Sequence, residues 1–400
     1  MRLRACIGSL LGVALLASLL ARPAAAELLQ VPEEHPTIAE ALAAASFGDT
    51  VSIAPGTYYE HDLLWPPGVS IHGRSGVPES VIIDGLTQGR VIGGENLVPQ
   101  NEIAYLTIRG GHEPGLYGSG LMAVGDPVLH DLIIEECTST TVIYGIGLYK
   151  KGGATITDCV LRNNRSSAEG TRGGGACLLA DGNAHPITAR NLEVYGNQAD
   201  TGDGIYFNDD DGYLENLYIH DNFGSGMAVY YGSSGLGPII ENSLFANNAG
   251  SGLTFDASLT VRNCTFVGNG TVGSWVGAIS SGSTWDYPKN PTIEQCIVVN
   301  NLGSGISWWD PTPYTIACNN VYGNAFYAQY VNLPDQTGYD GNISADPEFC
   351  GASAGNFGLQ ADSPCAPANN TCGLLMGAYP VACGKTSTQE TSWGAIKALY

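Results

Sequence analysis

Five aspartates lie close together near the middle of the chain, between Asp200 and Asp211. Calcium binds through several oxygen ligands, and carboxylates that one turn brings together can supply them. A bound cation would also relieve the repulsion between these side chains and could bridge an acidic polysaccharide. The residues of this possible calcium site are Asp203, Asp209, Asp210 and Asp211. The alternative is a solvated turn in a strongly acidic protein.

Basic residues are concentrated just before these aspartates, from Lys150 to Arg172. A cationic side chain beside a carboxylate cluster is a candidate for enzymatic chemistry. The alternative is that scattered lysines and arginines keep surface turns soluble. The candidate catalytic residues of the two groups are Lys151, Arg162, Arg165, Arg172, Asp209 and Asp211.

Several short segments begin with a glycine and a hydrophobic residue, as in Gly204-Ile205 and Gly252-Leu253. Side chains alternate across a strand, so inward apolar residues imply outward neighbours. The residues predicted to point inward are Leu148, Ile205, Phe207, Leu253, Phe255 and Ile306. Those predicted to point outward, as an aromatic stripe, are Tyr149, Tyr206, Tyr230 and Trp309. Flat aromatic faces suit the C–H faces of sugar rings, so we expect this stripe to bind carbohydrate unless a long turn covers it.

These segments belong to a longer repeat in which an asparagine closes each short apolar strand. The steps between the asparagines are 33, 25, 26, 21, 32 and 23 residues, at Asn164, Asn197, Asn222, Asn248, Asn269, Asn301 and Asn324. Units of this size, built from alternating strands without helical spacing, indicate an all-β solenoid. Asparagine tolerates left-handed backbone angles, and its amides would stack into a ladder. The alternative, glycan attachment, applies to the sequons at Asn164, Asn263, Asn269, Asn342 and Asn369.

A solenoid needs a cover at each end. The segment Thr37-Ile38-Ala39-Glu40 fits a capping box and predicts a short helix over about residues 36–46. Residues 346–383 lack the repeat and predict a disulfide-containing cap, in which four cysteines allow three pairings: Cys350, Cys365, Cys372 and Cys383. Residues 384–400 form a linker and a predicted short helix. A further group is predicted to stack inside the coil as small core residues: Cys159, Cys264 and Cys296.

The charge balance and the first residues bear on location and partners. The chain has 400 residues and a formal net charge of −22. Residues 1–26 carry Arg2 and Arg4, an apolar run from Leu10 to Leu20 and three alanines, which predicts a cleaved secretory signal. Removal of Arg2, Arg4 and Arg22 with this segment leaves 13 basic and 38 acidic residues, a formal charge of 13 − 38 = −25. Such a charge disfavours binding to nucleic acid or to anionic membranes. We expect an exported protein, secreted or at the cell surface, without a transmembrane segment; its oligomeric state stays open.

The segments 37–42 and 48–58 resemble the opening of the right-handed parallel β-helix superfamily, which includes pectate lyases, pectinesterases and polygalacturonases. Residues 341–347 and 363–365 resemble the closing segment of its secreted bacterial members. The resemblance implies a right-handed parallel β-helix over residues 27–383. Residues 56–60 match a pectinesterase element, but the aspartate signatures of that activity are missing. Polygalacturonases are matched only at residues 208–211.

In this superfamily, lyases combine calcium with a basic residue that acts on the sugar C5 proton. The resemblance therefore implies a role for the acidic and basic groups described above. We predict a secreted protein that binds polysaccharide along an outward face, with possible calcium as its one cofactor. The alternatives are a calcium-dependent polysaccharide lyase or glycoside hydrolase, and a structural or adhesive surface protein without catalysis.

Overall fold

The computed structural model describes residues 25–112, 117–140, 145–166, 177–180, 186–199, 204–208, 211–230, 237–272, 277–282, 289–309, 313–325 and 328–384, with backbone alone for 177–180. Among these residues, nearly all regular structure is β-strand, wound into about 12 turns of a coil. Each turn after the first adds one strand to each of three columns, and within a column neighbouring strands pair in parallel from turn to turn.

Columns 1 and 2 together make a sheet of 21 strands in the described part of the chain. Two long strands, Glu102–Arg109 and Val128–Glu135, cross from column 1 into column 2. The other strands of column 1 are Leu28–Val31, Thr50–Ile53, Ser70–Gly73, Ala154–Thr157, Ile187–Arg190, Gly212–Glu215, Ile239–Glu241, Thr260–Arg262, Thr292–Glu294 and Thr315–Ala317. The other strands of column 2 are Gly56–Tyr58, Val81–Asp84, Val160–Arg162, Glu193–Tyr195, Tyr218–His220, Leu244–Ala246, Thr265–Val267, Ile297–Val299 and Asn320–Tyr322.

Column 3 is a separate sheet of 11 strands in the described part of the chain. Its strands are Leu63–Leu64, Ile92–Leu97, Leu121–Gly125, Leu148–Lys151, Cys177–Ala180, Ile205–Asn208, Met227–Tyr230, Leu253–Asp256, Gly277–Ser281, Ser304–Ser307 and Tyr330–Val331. The residues predicted to point inward are all buried, which confirms the alternation: Leu148, Ile205, Phe207, Leu253, Phe255 and Ile306. One continuous apolar core therefore runs through the coil, bounded by the three columns.

The bend between columns 2 and 3 depends on one left-handed residue per turn. Asn163, Asn247 and Asn300 occupy it with φ of 56°, 54° and 52°, and glycines occupy it in other turns. The repeated asparagine is the next residue, and its φ is not positive. The prediction that the repeated asparagine itself takes the left-handed angle is therefore wrong. Its recurrence in each turn is explained by its side chain, which turns into the coil.

The repeated asparagines form the predicted ladder. The side-chain amide of Asn164 donates to Oδ1 of Asn197 at 3.1 Å, and the backbone N–H of Asn164 donates to the same oxygen at 3.0 Å. The same pair of bonds recurs from turn to turn down to Asn324, whose amide donates to Gln329 Oε1 at 2.7 Å. These side chains are buried and fully engaged. The glycan alternative therefore fails at Asn164 and Asn269, because their amide nitrogens are donors inside the ladder.

The N-terminal end of the coil is covered by a helix, Ile38–Ala44, as the capping box predicts. Thr37 Oγ1 accepts from the backbone N–H of Glu40, and Glu60 accepts from the N–H groups of Ile38 and Ala39 at 2.8 and 2.9 Å. Ile38 and Leu42 are buried against the first strands. Glu60, which lies in the pectinesterase-like element, is therefore a helix cap in this chain.

The C-terminal segment, residues 346–384, differs in position from the predicted end cap, and we call it the strap. It contains the short sheet Phe349–Gly351, Asn356–Gln360 and Val381–Cys383. The strap lies along the outward side of column 2, because outward residues there are apolar in consecutive turns and need a cover. The column 2 residues packed beneath it are Leu244, Ala246, Val267, Ile297 and Val299.

Two disulfides secure the strap. Cys350 pairs with Cys383, and Cys372 pairs with Cys318 on the coil. Cys365, grouped by sequence with the strap cysteines, is instead a buried thiol. The prediction of pairing confined to residues 346–383 is therefore wrong, since Cys318 replaces Cys365 as a partner. The predicted core stack is observed as buried thiols at Cys159, Cys264 and Cys296.

Candidate functional site

The outward face of column 3 holds an aromatic and apolar file, one residue per turn. Met122, Tyr149, Tyr206 and Ala228 lie in register along the coil axis, and the backbone of residue 178 occupies the turn between Tyr149 and Tyr206. Four steps of about 4.8 Å give this file a length of roughly 19 Å. The connections on both sides of column 3 are mostly longer than those between columns 1 and 2, and their lengths differ most from turn to turn.

Four tyrosine rings form two pairs on this face. The ring centroids of Tyr117 and Tyr149 are 4.4 Å apart, and those of Tyr206 and Tyr230 are 5.4 Å apart. Tyr149 also contacts Met122, Val124 and Tyr206, so the two pairs form one continuous surface. We call Tyr117, Met122, Tyr149, Tyr206 and Tyr230 the aromatic platform.

The platform residues differ in solvent exposure, so only part of the predicted outward stripe is accessible. Tyr149 points outward but is only 6 % exposed, because the Tyr117 ring and the side chains of Met122, Val124 and Tyr206 pack against it. Tyr117 is 38 % exposed and therefore presents the outer ring at this end. Tyr206 and Tyr230 are half-buried. A turn does cover part of the stripe, and that turn contributes an aromatic ring of its own.

Sequence reasoning missed Arg90 and Tyr117. The guanidinium of Arg90 donates from Nε to Gly118 O and from Nη2 to Tyr117 O, both at 2.8 Å. Arg90 lies beside Gly93, the residue in register with Met122. Tyr117 belongs to a turn outside the repeat, so periodicity gives no signal for it. Two glycines could have drawn attention to this corner: Gly118, which directly follows Tyr117, and Gly93, which comes three residues after Arg90.

Trp309 lies apart from the platform. It follows the strand Ser304–Ser307, which is three turns beyond the strand that carries Tyr230. Trp309 is 44 % exposed, and its backbone N–H donates to Ser281 Oγ at 2.8 Å. Between the two, the outward file continues with small side chains, and Ser280 and Ser307 are buried there. The predicted stripe is thus divided into the platform and a separate tryptophan.

The structure distributes the basic candidates over different sides of the coil. Lys151 ends a strand of column 3, whereas Arg162 lies on the outward face of column 2. Arg165 lies in the connection between those columns, with its guanidinium 5.9 Å from the ring of Phe223. These three residues therefore form no common cationic cluster. Arg172 lies outside the described residues.

Arg162 is engaged in a structural ion pair. Its guanidinium donates to Glu135 Oε2 at 2.7 Å from Nε and to the Tyr195 hydroxyl at 3.1 Å from Nη1. Burial would lower the pKa of Arg162, but the bonds to Tyr195 and Glu135 outweigh it and raise that pKa. Arg162 is accordingly a permanent cation and cannot serve as a proton acceptor.

Of the proposed calcium ligands, the structure describes Asp211 alone. Its side chain is exposed immediately before the strand Gly212–Glu215. Asp203, Asp209 and Asp210 lie outside the described residues, so the calcium site stays a prediction. Within the described ranges, no three histidine, cysteine or carboxylate side chains are grouped so that they could hold a metal ion. No helix in those ranges is long and apolar enough to cross a membrane.

A buried lysine lies just beneath the platform. Lys150 follows Tyr149 in the strand, points inward and is fully buried. Its ammonium donates to Gly125 O and Lys151 O at 2.6 Å and to Gly152 O at 3.0 Å. Three carbonyl acceptors compensate for the loss of water around this charge. Lys150 therefore fixes the bend at the end of the strand that carries Tyr149.

The match to a family model agrees with the coil described above. Residues 176–337 match the family model "Right handed beta helix region". No curated protein matches the sequence. Solved structures that resemble the chain include the PL6 family alginate lyase AlyGC, in a mutant form with 14 % identity and a TM-score of 0.44, and in a second structure with 15 % identity and a TM-score of 0.35. These alignments cover 89 % and 81 % of this chain but only 59 % and 54 % of the lyase chains.

A further resemblance is to the A-module of the Azotobacter vinelandii mannuronan C-5 epimerase AlgE6. The identity is 19 %, the TM-score is 0.33, and the alignment covers 74 % of this chain and 93 % of the module. None of these likenesses assigns an activity to the chain. The parallel three-column coil and the family match confirm the fold expected from the sequence: this chain is a right-handed parallel β-helix.

Proposed function

We propose that this protein binds polysaccharide on the aromatic platform of column 3. The observation that carries the proposal is the arrangement of four tyrosine rings in two pairs on the outward side of column 3. Isolated exposed aromatic residues are common on protein surfaces, but a contiguous set marks a binding surface. The position of the set, between the long connections of a β-helix, supports the same function.

The chemistry of the platform suits sugar rings. A pyranose ring presents C–H groups on its faces and hydroxyl groups around its rim. The faces can lie on tyrosine rings, while the phenolic hydroxyls and nearby polar side chains can bond to the rim. Asn208 and Thr254 lie half-buried on the same outward side and provide such polar groups. The length of roughly 19 Å accommodates several sugar units of an extended chain.

Export fits the same function. The two disulfides, Cys318–Cys372 and Cys350–Cys383, are compatible with an oxidising compartment. Residues 1–26 read as a secretory signal, and most of this segment lies outside the described residues. An exported protein would meet extracellular or cell-surface glycans. We therefore place the proposed ligand outside the cell.

A glycan array, followed by titration of the best ligand, tests the proposal. We expect Tyr206→Ala and Tyr230→Ala each to weaken binding by about tenfold, because each removes a ring from the platform. Tyr339→Ala is the matched control, since this tyrosine is 68 % exposed in a turn beside Cys318, at the other end of the coil from Tyr149. Undiminished binding by Tyr206→Ala and Tyr230→Ala would rule out the platform as the site.

A product assay separates binding from catalysis. The same polysaccharides are incubated with the protein, with and without calcium, and unsaturated products are followed by their near-ultraviolet absorbance. Absence of product together with platform-dependent binding is the result expected for a binding protein. Calcium-dependent product formation would contradict a pure binding function and would support a lyase in which Asp209 and Asp211 are candidate site residues.

A further inference from the structure

Arg90 occupies space that a missing side chain leaves on the outward face of column 3. Gly93 stands in register with Met122 at the N-terminal end of the platform. A Cβ atom on Gly93 would lie 3.3 Å from Arg90 Cδ and 3.5 Å from Nη1, so the arginine passes directly over this position. A larger residue at 93 would compete with Arg90 for the same space.

From that position Arg90 binds the loop that carries Tyr117, which precedes the column 3 strand of the following turn. Its Nε and Nη2 donate to the carbonyls of two successive residues, Gly118 and Tyr117, at 2.8 Å each. The planar guanidinium suits such paired bonds, which a lysine ammonium reproduces only in part. Arg90 thereby fixes the backbone from which the Tyr117 side chain projects.

Gly118 allows this turn to approach column 3 closely. Its φ is +49°, and a Cβ atom would lie 3.0 Å from Tyr149 Cβ and 2.8 Å from Leu121 O. A glycine is therefore required by both the backbone angle and the space. The close approach is what brings the Tyr117 ring to 4.4 Å from the Tyr149 ring.

We propose that Arg90 is a positioning residue of the platform: it holds Tyr117 over Tyr149 through the backbone, and it acts on the ligand through that ring. This inference rests on the proposed polysaccharide binding and adds to it the device that builds one end of the site. It predicts that Arg90 and Tyr117 act as a unit in binding. The loss of either should have the same consequence for the ligand.

The test uses the full chain and four variants: Arg90→Ala, Arg90→Lys, Tyr117→Ala and the double variant Arg90→Ala/Tyr117→Ala. Affinity for the glycan identified on the array is measured by titration. Near-ultraviolet circular dichroism reports the Tyr117–Tyr149 pair, and its contribution is defined by the signal that Tyr117→Ala removes. Arg74→Ala serves as a matched control, because Arg74 also bonds to backbone carbonyls but on the opposite part of the coil.

We expect Tyr117→Ala and Arg90→Ala each to weaken binding by about tenfold and the double variant to be no weaker than either. Arg90→Ala should also lose the tyrosine signal, and Arg90→Lys should recover part of both. Arg74→Ala should leave affinity and signal unchanged. If the two losses multiply, Arg90 contacts the ligand independently and the positioning role is wrong; unchanged affinity or an unchanged signal in Arg90→Ala would also overturn it.

The two readouts keep this inference separate from the proposed function. If the wild-type protein binds no glycan, the proposed function fails, and the tyrosine signal of Arg90→Ala still decides whether Arg90 positions Tyr117. If Arg90→Ala unfolds, Arg90→Lys gives the same comparison at a smaller amplitude. Retention of the full signal by a folded Arg90→Lys together with a tenfold loss of affinity would contradict positioning.

Discussion

The side-chain amide of Asn222 donates to Oδ1 of Asn248 at 2.9 Å, and the backbone N–H of Asn222 donates to the same oxygen at 3.2 Å. One side-chain oxygen thus serves both donors of the preceding turn. The amide of Asn248 in turn donates to Ile219 O at 3.0 Å and to Asn269 Oδ1 at 2.9 Å. Each asparagine is therefore an acceptor for one turn and a donor to another, all within the core.

Replacement of Asn248 by leucine should destabilise the coil strongly. The change leaves two buried donors of Asn222 without an acceptor, and each such donor costs about 1–3 kcal/mol. We expect a loss of about 3 kcal/mol, measured as a shift of the urea midpoint. Asn290→Leu is the control, because this asparagine is exposed. A loss in Asn248→Leu no greater than in the control would show that the ladder contributes little.

Gly268→Ala should destabilise the protein for two separable reasons. Gly268 has a φ of +68°, which costs a residue with a Cβ atom about 1–2 kcal/mol. A Cβ there would also overlap Oδ1 of Asn247 in the preceding turn. Asn247→Gly removes the overlap but not the angle, so Gly268→Ala should be less harmful in that background. Equal losses of unfolding free energy in both backgrounds would assign the whole effect to the backbone angle.

Two histidines on column 1 should respond to pH with opposite signs. His130 contacts Asp131 at 2.8 Å and Glu102 at 3.0 Å, and His72 contacts the same Glu102 oxygen at 2.9 Å. Burial lowers the pKa of both; in His130 the hydrogen bonds to Asp131 and Glu102 outweigh burial and raise the pKa, whereas in His72 burial prevails and the pKa is lowered. Tyr105 packs edge-on against both rings.

The sign of each pH dependence follows from the direction of the pKa shift in the folded state. A raised folded-state pKa stabilises the fold below the unfolded value of about 6.5 and loses that effect as pH rises through the folded pKa. His130→Gln should therefore be most harmful at pH 5.5 and less harmful at pH 8.5. A lowered pKa penalises the fold in acid, so the deficit of His72→Gln should shrink as pH falls. Urea unfolding of both variants at the two pH values checks this, and a common sign would contradict it.

The strap should depend on the disulfide that joins it to the coil. Cys318 and Cys372 are 54 residues apart, and closing a loop of that length stabilises a fold by about 4 kcal/mol in the chain-entropy description. Cys318→Ser/Cys372→Ser should lower the melting temperature and increase binding of a hydrophobic dye, because column 2 beneath the strap is apolar. Cys365→Ala, which removes a buried thiol, is the control. Peptide mapping that finds Cys365 in a disulfide would refute the pairing described above.

The repeat made most of the coil predictable. Period-two alternation identified the inward residues of column 3, such as Phe207 and Phe255, because each strand is short and one side of it must be buried. The ladder followed from the recurrence of asparagine. The left-handed position was assigned one residue too late, since Asn163-Asn164, Asn247-Asn248 and Asn300-Asn301 are pairs in which either member could bend the chain. Only the three-dimensional arrangement separates the residue that bends from the residue that bonds.

The site was less predictable because it depends on residues outside the repeat. Tyr149 could be placed outward, but its cover by Tyr117 comes from a turn whose path has no periodicity. Arg90 and Tyr117 are 27 residues apart and meet only because successive turns stack. The strap presents the same difficulty: the partner of Cys372 lies on the coil, where sequence spacing groups Cys318 with the strands rather than with the cap.

The strap also sets limits on how this protein can change in length. It is tied to three successive turns, through Ala378 to Thr265, Gly377 to Gln295 and Cys372 to Cys318. Duplication of a turn between Thr265 and Cys318 would move these anchors apart by about 4.8 Å, the spacing of neighbouring strands, and a strap of fixed length would lose one of them. The strap also packs on Leu244 and Ala246, in the turn before Thr265, so the constraint on length extends over four turns of the coil.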